Sequence, residues 1–436
     1  MVKTSTIVLA GCLASVVALS GCSADKDSAA TTSGKSGEKV KLRISSGAAV
    51  EEATAEQAAI KAFMDKNPNI EVAYEPIPGD DSNQKLLASV ASGNAPDVFL
   101  MDSVVLPQFI DNNAVLDMGP YAKKDSTFNK DVWYENVYNI GVRGDKIYDL
   151  PRGFTPLVVY YNKEVFDKSG VPYPKEGWTW NDFLETAKKL TKAGADGKTE
   201  QYGFTADPYF YKSVPFVWQN GGDVLSKDGK TAKGFLNSPA TVEAYQFYTD
   251  LVTKHKVSPT PSVKKAFGDL FFQTGKIAMN ISGHWTLLGL NDTAKAGKFN
   301  INNLGIVGLP KSKENVSVMY EAGWAASAST KHPQEAYQLA KFMAESEVGQ
   351  KMRIQSGLEL SAVKSVSEEY AKDKPLEQAF VKEVQYARQP WGSIHPKWDP
   401  IEKEIDKAIE QIIVNNTPVQ KAFDDAVPKI DKIINE

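Results

Sequence analysis

The side chains on which most enzymes depend are few in this sequence, and their spacing forms no known catalytic or metal-binding motif. Cys12 and Cys22 are the only cysteines, and no two of the four histidines stand in an H-x-x-x-H pattern. Acidic residues are adjacent at 51–52 and 80–81, but catalytic carboxylate pairs come from separate elements, so adjacency does not indicate one. Neither G-x-S-x-G nor G-x-x-x-x-G-K-S/T occurs. The sequence therefore predicts a protein that is not an enzyme and that uses no metal and no cofactor.

Aromatic and polar side chains stand beside predicted turns, where a binding cleft can form. These residues are Trp218, Asn220, Gly283, His284 and Trp285. Trp285 directly follows a predicted strand at residues 277–281 and a glycine turn. A tryptophan in such a place suits a cleft better than a hydrophobic core. A lone histidine such as His284 is more often a plain hydrogen-bonding residue than a metal ligand. The spacing therefore indicates a surface that binds a ligand.

The amino-terminal part of the fold predicts a β-α-β-α-β unit. Strands are expected at 40–46, 70–74 and 95–102, and helices at 51–66 and 82–92. This alternation predicts a mostly parallel sheet covered by helices. Ligands of such sheets bind at the carboxyl ends of the strands, where Ser46 and Asp102 stand. Asp102 fits equally well as a solvated loop residue or a helix N-cap.

Residues 147–162 predict a passage of the chain from one sheet to another. The β-branched and aromatic residues at 157–161 favour a strand. Pro151, Gly153 and Pro156 stand just before them and are badly suited to a central strand. We therefore expect a turn-like interruption at 151–156 and a new sheet after it.

Composition and length predict two soluble lobes. Apolar residues make up 42% and charged residues 24%, as in ordinary globular proteins, and 436 residues exceed one typical domain. A net charge of -4 gives no reason to expect a nucleic-acid partner.

Further crossings between the two lobes are expected at 310–313 and near 374–375, with strands at 316–320 and 323–326. The predicted discontinuous lobes are residues 40–153 with 312–374, and residues 154–311 with 375–436. The tail predicts a helix with one apolar stripe, formed by Ile401, Ile405, Ile409 and Ile412.

The amino terminus predicts export and an anchor. Residues 1–21 contain Lys3 and a short apolar run, which is typical of a signal peptide rather than a spanning helix. The run ends in L-S-G-C, which resembles the lipobox of bacterial lipoproteins and makes Cys22 the lipidated residue. An ordinary signal peptide with a chance cysteine is the alternative. Residues 22–39 are small and polar and predict a flexible tether. The protein is thus expected on the outer face of a bacterial cytoplasmic membrane.

Several short stretches occur in an order that marks a known family. They are A-P-D-V-F-L-M-D at 95–102, L-P at 150–151, V-Y-Y-N at 159–162, G-W-T-W-N-D-F at 177–183, W-Q-N-G-G-D at 218–223, G-K-I-A-M-N-I-S-G-H-W at 275–285, G-W-A-A-S at 323–327 and E-A-Y-Q-L-A-K-F-M at 335–343. Each is weak alone, but the ordered set covers nearly the whole mature chain. With the lipobox, it resembles the maltose-binding-protein-like family of extracellular sugar-binding proteins of ABC importers.

The resemblance implies an α/β fold of the two-lobe, type II Venus-flytrap class, which captures a carbohydrate between the lobes. It implies delivery of an oligosaccharide to a membrane permease by a monomer that touches the membrane only through its lipid. Matching positions imply that Trp218, Trp285 and Trp324 face the sugar, and that Asp102 and Arg152 bind hydroxyls. Aromatic rings cover the apolar face of a pyranose, and a buried hydroxyl without a partner costs about 1–3 kcal/mol.

Two departures from the family argue against maltose itself. Phe154 and Thr155 stand where the maltose binders carry a carboxylate, and Met101 stands where they carry a tryptophan. Whether Phe154, Thr155, Trp391 or Trp398 contacts the ligand is left open by the sequence.

Three alternatives stay open. The same fold can bind a phosphorylated or other non-sugar solute, although a phosphate wants several basic residues and only Arg152 and Arg388 stand out. A lipid-anchored enzyme acting on glycosides is the second alternative, and a surface adhesin that needs no cleft is the third.

Overall fold

Fourteen strands and seventeen α-helices are present in the part of the chain described by the computed structural model, which comprises residues 39–47, 50–77, 82–355, 357 and 359–436. The predicted signal peptide, Cys22 and all of the tether except Lys39 lie outside the described residues. The strands are β1 (Val40–Ser45), β2 (Ile70–Tyr74), β3 (Val98–Asp102), β4 (Val142–Arg143), β5 (Lys146–Ile147), β6 (Leu150–Pro156), β7 (Val158–Asn162), β8 (Lys192–Ala193), β9 (Thr199–Gln201), β10 (Met279–Ser282), β11 (Leu304–Val307), β12 (Ser317–Ala326), β13 (Leu360–Ser361) and β14 (Ala387–Arg388).

The helices cover both halves of the fold. They are α1 (Val50–Lys66), α2 (Ser82–Ala91), α3 (Leu106–Asp111), α4 (Gly119–Ala122), α5 (Glu135–Tyr138), α6 (Lys163–Ser169), α7 (Trp180–Leu190), α8 (Phe210–Gln219), α9 (Pro239–Thr253), α10 (Pro261–Ala266), α11 (Trp285–Lys295), α12 (Pro333–Glu345), α13 (Glu347–Ile354), α14 (Lys364–Ala371), α15 (Pro375–Glu383), α16 (Trp398–Asn415) and α17 (Val419–Asn435). Among the described residues, none of these helices combines the length and the apolar character that crossing a membrane requires.

The strands form one large and one small main sheet. The large sheet has the order β13-β6-β12-β3-β1-β2, with β14 beside β12, and the small sheet has the order β10-β7-β11. β1 pairs in parallel with β2 and β3, so the predicted β-α-β-α-β unit is confirmed. β12 is antiparallel to both β3 and β6. It is a single strand where two were expected.

The passage between the sheets lies where the sequence predicts it. β6 pairs with β12 and β13 in the large sheet, whereas β7 pairs with β10 and β11 in the small one. Leu157 alone separates the two strands, and its N–H donates to the carbonyl of Val318 at 3.1 Å. The chain thus changes sheets within one residue.

The expected turn-like interruption at 151–156 is wrong, because these residues lie in β6 and are buried. Pairing with β12 accommodates the prolines. In this pairing, Ala322 of β12 lies opposite Gly153 of β6, and the next residue, Gly323, lies opposite Pro151. The register thus skips Arg152. This is the pattern of a β-bulge, where ladder pairing is interrupted and a proline is tolerated. Bulges also redirect side chains, and here the redirected side chain is that of Arg152.

Two large hydrophobic clusters hold the fold together. One joins the helices α7, α8, α9, α16 and α17 to the small sheet, and contains the predicted stripe of isoleucines from α16. The other joins the large sheet to α1 and α12, but also contains Val158 and Tyr160 of β7. β7 therefore contributes to both clusters, and the strand that follows the crossing is anchored in each of them.

Candidate functional site

A cleft of about 490 Å³ lies where three strands of the large sheet meet helices α8, α11 and α16. Of its described lining residues, five are aromatic: Phe210, Tyr211, Trp285, Tyr320 and Trp398. Four are acidic: Asp102, Glu321, Glu359 and Glu402. Arg152 is the one cation among them. An apolar cleft with a few convergent polar groups is the usual form of a small-molecule site.

Trp285 is the aromatic residue most open to a ligand. Its side chain is 37% exposed, and its ring meets Tyr320 edge to face at 5.9 Å between centroids. By contrast, Phe210 and Trp398 are almost fully buried and pack against each other at 4.9 Å. Trp398 and Phe210 thus form the floor of the cleft, whereas Trp285 offers a ring face.

Gly283 and His284 set the position of Trp285. The carbonyl of Gly283 accepts a hydrogen bond from the Tyr160 hydroxyl at 2.7 Å, and a Cβ atom on Gly283 would collide with the Trp285 ring. The backbone N–H of His284 donates to Oγ1 of Thr155 at 2.7 Å. The His284 ring is fully buried, 2.6 Å from a carboxylate oxygen of Glu377. Neither Gly283 nor His284 lines the cleft, so both act behind it.

Arg152 enters the cleft from a buried ion-pair network. Its guanidinium lies 3.0 Å from Oε1 of Glu56 and 3.1 Å from Oε1 of Glu359. Glu359 also pairs with Arg353. Burial alone would raise the pKa of Glu359, but Arg353 and Arg152 outweigh it and hold this pKa below its ordinary value. Removing one partner of such a network costs about 3–5 kcal/mol, since the other charge stays buried.

Ser46 belongs to the same network rather than to the cleft lining. Its hydroxyl donates to Oε2 of Glu56 at 2.5 Å, and the hydroxyl of Tyr74 donates to the same oxygen at 2.8 Å. Ser46 does stand at the carboxyl end of a parallel strand, as predicted. It acts on Glu56, and through Glu56 on Arg152.

Two carboxyl groups of the cleft are in environments that favour the protonated form. Burial, followed by the nearby charges of Asp149 and Glu359, raises the pKa of Glu321 well above its ordinary value. Burial and the neighbouring Asp406 raise the pKa of Glu402 to about 7. The indole N–H of Trp398 donates to Glu402 at 2.8 Å and opposes that rise.

Asp102 is the exposed acid of the cleft. It is the last residue of β3, and its Oδ2 accepts a hydrogen bond from the Asn83 side chain at 2.9 Å. Its side chain caps no helix N–H group, which argues against the predicted N-cap role, whereas its exposed position at the cleft fits both the ligand role and the solvated one.

Trp218, Trp324 and Asn220 do not line the cleft, contrary to expectation. Trp218 is 2% exposed, its indole N–H donates to Asp223 at 3.1 Å, and the guanidinium of Arg388 covers its ring at 4.6 Å. Trp324 is fully buried in the core of the large sheet. The amide of Asn220, which follows α8, donates to the carbonyl of Ala240 and the carboxylate of Glu243 in α9, each at 2.8 Å. All three stabilise the fold around the cleft.

Phe154, Thr155, Trp391 and Trp398 were left open by the sequence, and the structure separates them. Thr155 and Trp398 line the cleft, whereas Phe154 is fully buried and Trp391 donates its indole N–H to Asp223 at 2.7 Å. The sequence reasoning missed Phe210, Tyr211, Tyr320, Glu321, Glu359 and Glu402. For Glu321 a signal existed, because an acid in the apolar run V-M-Y-E-A-G-W-A-A is unusual for a buried strand.

Comparison with known proteins identifies the family. The family model described as bacterial extracellular solute-binding protein matches residues 47–350. The chain therefore belongs to this family of binding proteins, which agrees with the predicted extracellular location.

Within the described residues, no cluster of three histidine, cysteine or acidic side chains suited to a metal ion is found.

Two relatives from Bacillus subtilis resemble the chain in sequence. The galactooligosaccharide-binding protein is 24% identical over 440 residues, which cover 97% of this chain and 95% of the relative. The maltodextrin-binding protein is 27% identical over 333 residues, which cover 75% of this chain and 73% of the relative.

Solved structures confirm the fold. An ABC substrate-binding protein from Listeria monocytogenes in complex with cycloalternan is 26% identical, with a TM-score of 0.77 over 91% of this chain and 99% of that one. The sugar-binding protein MalE from Xanthomonas citri is 17% identical, with a TM-score of 0.78 over 91% of this chain and 98% of that one. The predicted two-lobe, type II α/β fold is thereby confirmed.

Proposed function

We propose that this protein is the solute-binding component of an ABC importer, and that it captures an oligosaccharide in the cleft beside Trp285 and delivers it to a membrane permease. The observation that carries this proposal is the lining of the cleft, in which five aromatic rings stand beside four carboxyl groups and one guanidinium. Rings suit the C–H faces of sugars, and the charged groups suit their hydroxyls. Relatives named for galactooligosaccharide and maltodextrin binding support this cargo class.

Three of the residues predicted from sequence remain in the proposed contact set. Trp285 supplies a ring face, Asp102 accepts hydrogen bonds from hydroxyls, and Arg152 donates them in a planar fork. Thr155 joins them, because it lines the cleft at the point where β6 passes into β7. The lining argues against anionic cargo, since its four acids face one guanidinium that is already paired with Glu56 and Glu359.

The mechanism we propose is capture, closure and docking, without bond chemistry. The predicted lobes, residues 40–153 with 312–374 and residues 154–311 with 375–436, close on the sugar, which stabilises the closed state by its differential affinity. A lipid on Cys22 and the tether at 22–39 hold the monomer at the outer face of the cytoplasmic membrane. The proposal includes no nucleic-acid partner.

A panel of purified sugars tests the function. The panel holds a galactooligosaccharide, an arabinooligosaccharide, maltotetraose, diacetylchitobiose and cycloalternan, the sugar types named for related proteins. We expect at least one to change tryptophan emission, raise the melting temperature and reduce the radius of gyration in solution scattering. The same sugar should be recovered unchanged after prolonged incubation.

Two results would contradict the proposal. If no sugar changes emission, melting temperature or compactness, the carbohydrate cargo is wrong. If a sugar is cleaved, the protein is an enzyme of the kind that the sequence left open as an alternative.

A further inference from the structure

Glu321 is a buried acid that reaches the cleft without a hydrogen-bond partner. It stands in the middle of β12, lines the cleft and is only 4% exposed. Neither of its carboxyl oxygens has a hydrogen-bond partner among the described residues. A buried carboxylate without donors is among the most costly groups in a protein interior, because it loses its hydration and gains nothing in exchange.

A second buried acid approaches Glu321. Asp149 is fully buried, and its two oxygens also have no hydrogen-bond partner within the described part of the chain. A Cβ atom built on Gly323 would lie 2.6 Å from Oδ1 of Asp149 and 2.7 Å from Oε1 of Glu321. The two carboxyl groups therefore converge on the same glycine. Two neighbouring carboxylates in a buried site cannot both be ionised without strong mutual repulsion.

The cations near this pair are engaged elsewhere. Arg152 is held by Glu56 and Glu359. Arg143, the cation that acts on Asp149, directs its guanidinium N–H groups to the backbone carbonyls of Ile140 at 2.7 Å, Val142 at 2.8 Å and Ser393. The charged groups that act on Glu321 itself are Asp149 before β6, Glu359 before β13, Asp102 at the end of β3 and Arg152 in β6. Three of these four are acids, so the surroundings disfavour a charged Glu321.

We propose that Glu321 is kept as a neutral carboxylic acid and donates its O–H to an uncharged acceptor oxygen of the bound ligand. A cleft otherwise rich in acceptors then gains a donor that recognises a ring, glycosidic, hydroxyl or acetamido oxygen at one position. A site built around such a donor discriminates against a ligand that lacks the acceptor, because the donor is left unpaired. The ligand part of this inference rests on the proposed carbohydrate function, whereas the protonation of Glu321 does not.

Infrared spectroscopy of the ligand-free protein tests the protonation directly. The protein is prepared with glutamate that is isotope-labelled at the side-chain carboxyl, so that bands of glutamate separate from those of Asp149. Subtracting the spectrum of Glu321→Gln from that of the wild type at about pH 7 should reveal the carbonyl stretch of a protonated acid. Glu383→Gln provides the reference band, because burial raises the pKa of Glu383 to about 8 and this residue does not line the cleft. If the difference for Glu321 contains only carboxylate bands, the proposal is overturned.

Ligand titration tests the donor. The probe is the sugar of the panel that binds best, titrated from about pH 5 to about pH 10. Wild-type affinity should fall at the alkaline end, where Glu321 loses its proton. Glu321→Gln keeps a hydrogen-bond donor that does not titrate. We therefore expect its affinity for the sugar to lie within about threefold of the wild-type value at neutral pH, and to fall less than the wild-type affinity at alkaline pH. Glu321→Ala should bind roughly tenfold more weakly at neutral pH.

The controls separate this inference from the proposed function. Glu383→Gln should retain the affinity and the pH profile of the wild type. Equal losses for Glu321→Gln and Glu321→Ala in variants that melt cooperatively would exclude the donor. A panel in which no sugar binds contradicts the carbohydrate function, and in that case the infrared band alone decides whether Glu321 is neutral.

Discussion

Burial separates three tryptophans that look alike in the sequence. Trp218, Trp285 and Trp324 each stand within three residues of a glycine, so each fits a ligand platform by its local context. The structure leaves Trp285 exposed and buries the other two. The difference arises from which side of each element faces a core, and tertiary partners such as Arg388 over Trp218 decide it. Local sequence carries no information about such distant partners.

Replacing Trp285 with alanine should weaken sugar binding without unfolding the protein. The ring is partly exposed, so little core is lost, whereas the ligand loses the ring that covers its apolar C–H face. We expect a roughly tenfold weaker affinity by calorimetry for Trp285→Ala. Tyr386→Ala is the matched control, because Tyr386 is similarly exposed and does not line the cleft. Equal affinities for the two variants would remove Trp285 from the site.

Among the elements, those with local signals were predictable and those set by long-range pairing were not. The alternation of strands and helices up to Asp102 predicted the parallel unit, and the β-rich run after Leu157 predicted the change of sheet. Pro151 and Pro156 misled the prediction because β12, which lies far along the chain, pairs with them across a bulge at Arg152 of β6. The same strand carries Glu321, one of the six cleft residues that sequence reasoning missed, into the cleft.

Replacing Gly323 with alanine should destabilise the protein, because the new methyl group would meet both Asp149 and Glu321 at less than contact distance. Overpacking of this kind costs about 1–3 kcal/mol of unfolding free energy, which denaturant titration measures. The control is Gly289→Ala within α11, where the space around the added atom is open. Alanine there should be neutral or stabilising by up to about 1 kcal/mol. If both variants unfold like the wild type, the two acids do not crowd Gly323.

At the scale of the whole molecule, buried acids give opposing pH dependences. The pKa of Glu359 is lowered, because Arg353 and Arg152 outweigh the effect of burial, so its contribution to stability is lost as the pH falls. Burial raises the pKa of Glu383 to about 8, of Glu402 to about 7 and of Asp406 to about 6. Their contribution is fully present below the unfolded pKa and is lost as the pH rises. Among the buried acids of the described residues, the pKa is lowered for Glu359 and Asp207 and raised for Asp149, Glu321, Glu345, Glu383, Glu402 and Asp406. The lowered acids act only at acidic pH, so we expect stability to decline from mildly acidic towards alkaline pH.

Glu383 allows this expectation to be tested on one residue. Its folded pKa of about 8 exceeds the unfolded value, so the folded state binds more protons in the interval between them, and the unfolding free energy falls across that interval. Glu383→Gln removes the titration and keeps an acceptor for the N–H of Leu309. Near pH 4, the unfolding free energy of the variant should therefore equal that of the wild type or be lower. From there to about pH 8, it should rise relative to that of the wild type by roughly 2–4 kcal/mol in total. Glu410→Gln, on the exposed face of α16, should follow the wild type throughout. Denaturant titrations at several pH values provide the measurement, and parallel profiles for the wild type and Glu383→Gln would show that the pKa of Glu383 is the same in the folded and unfolded states.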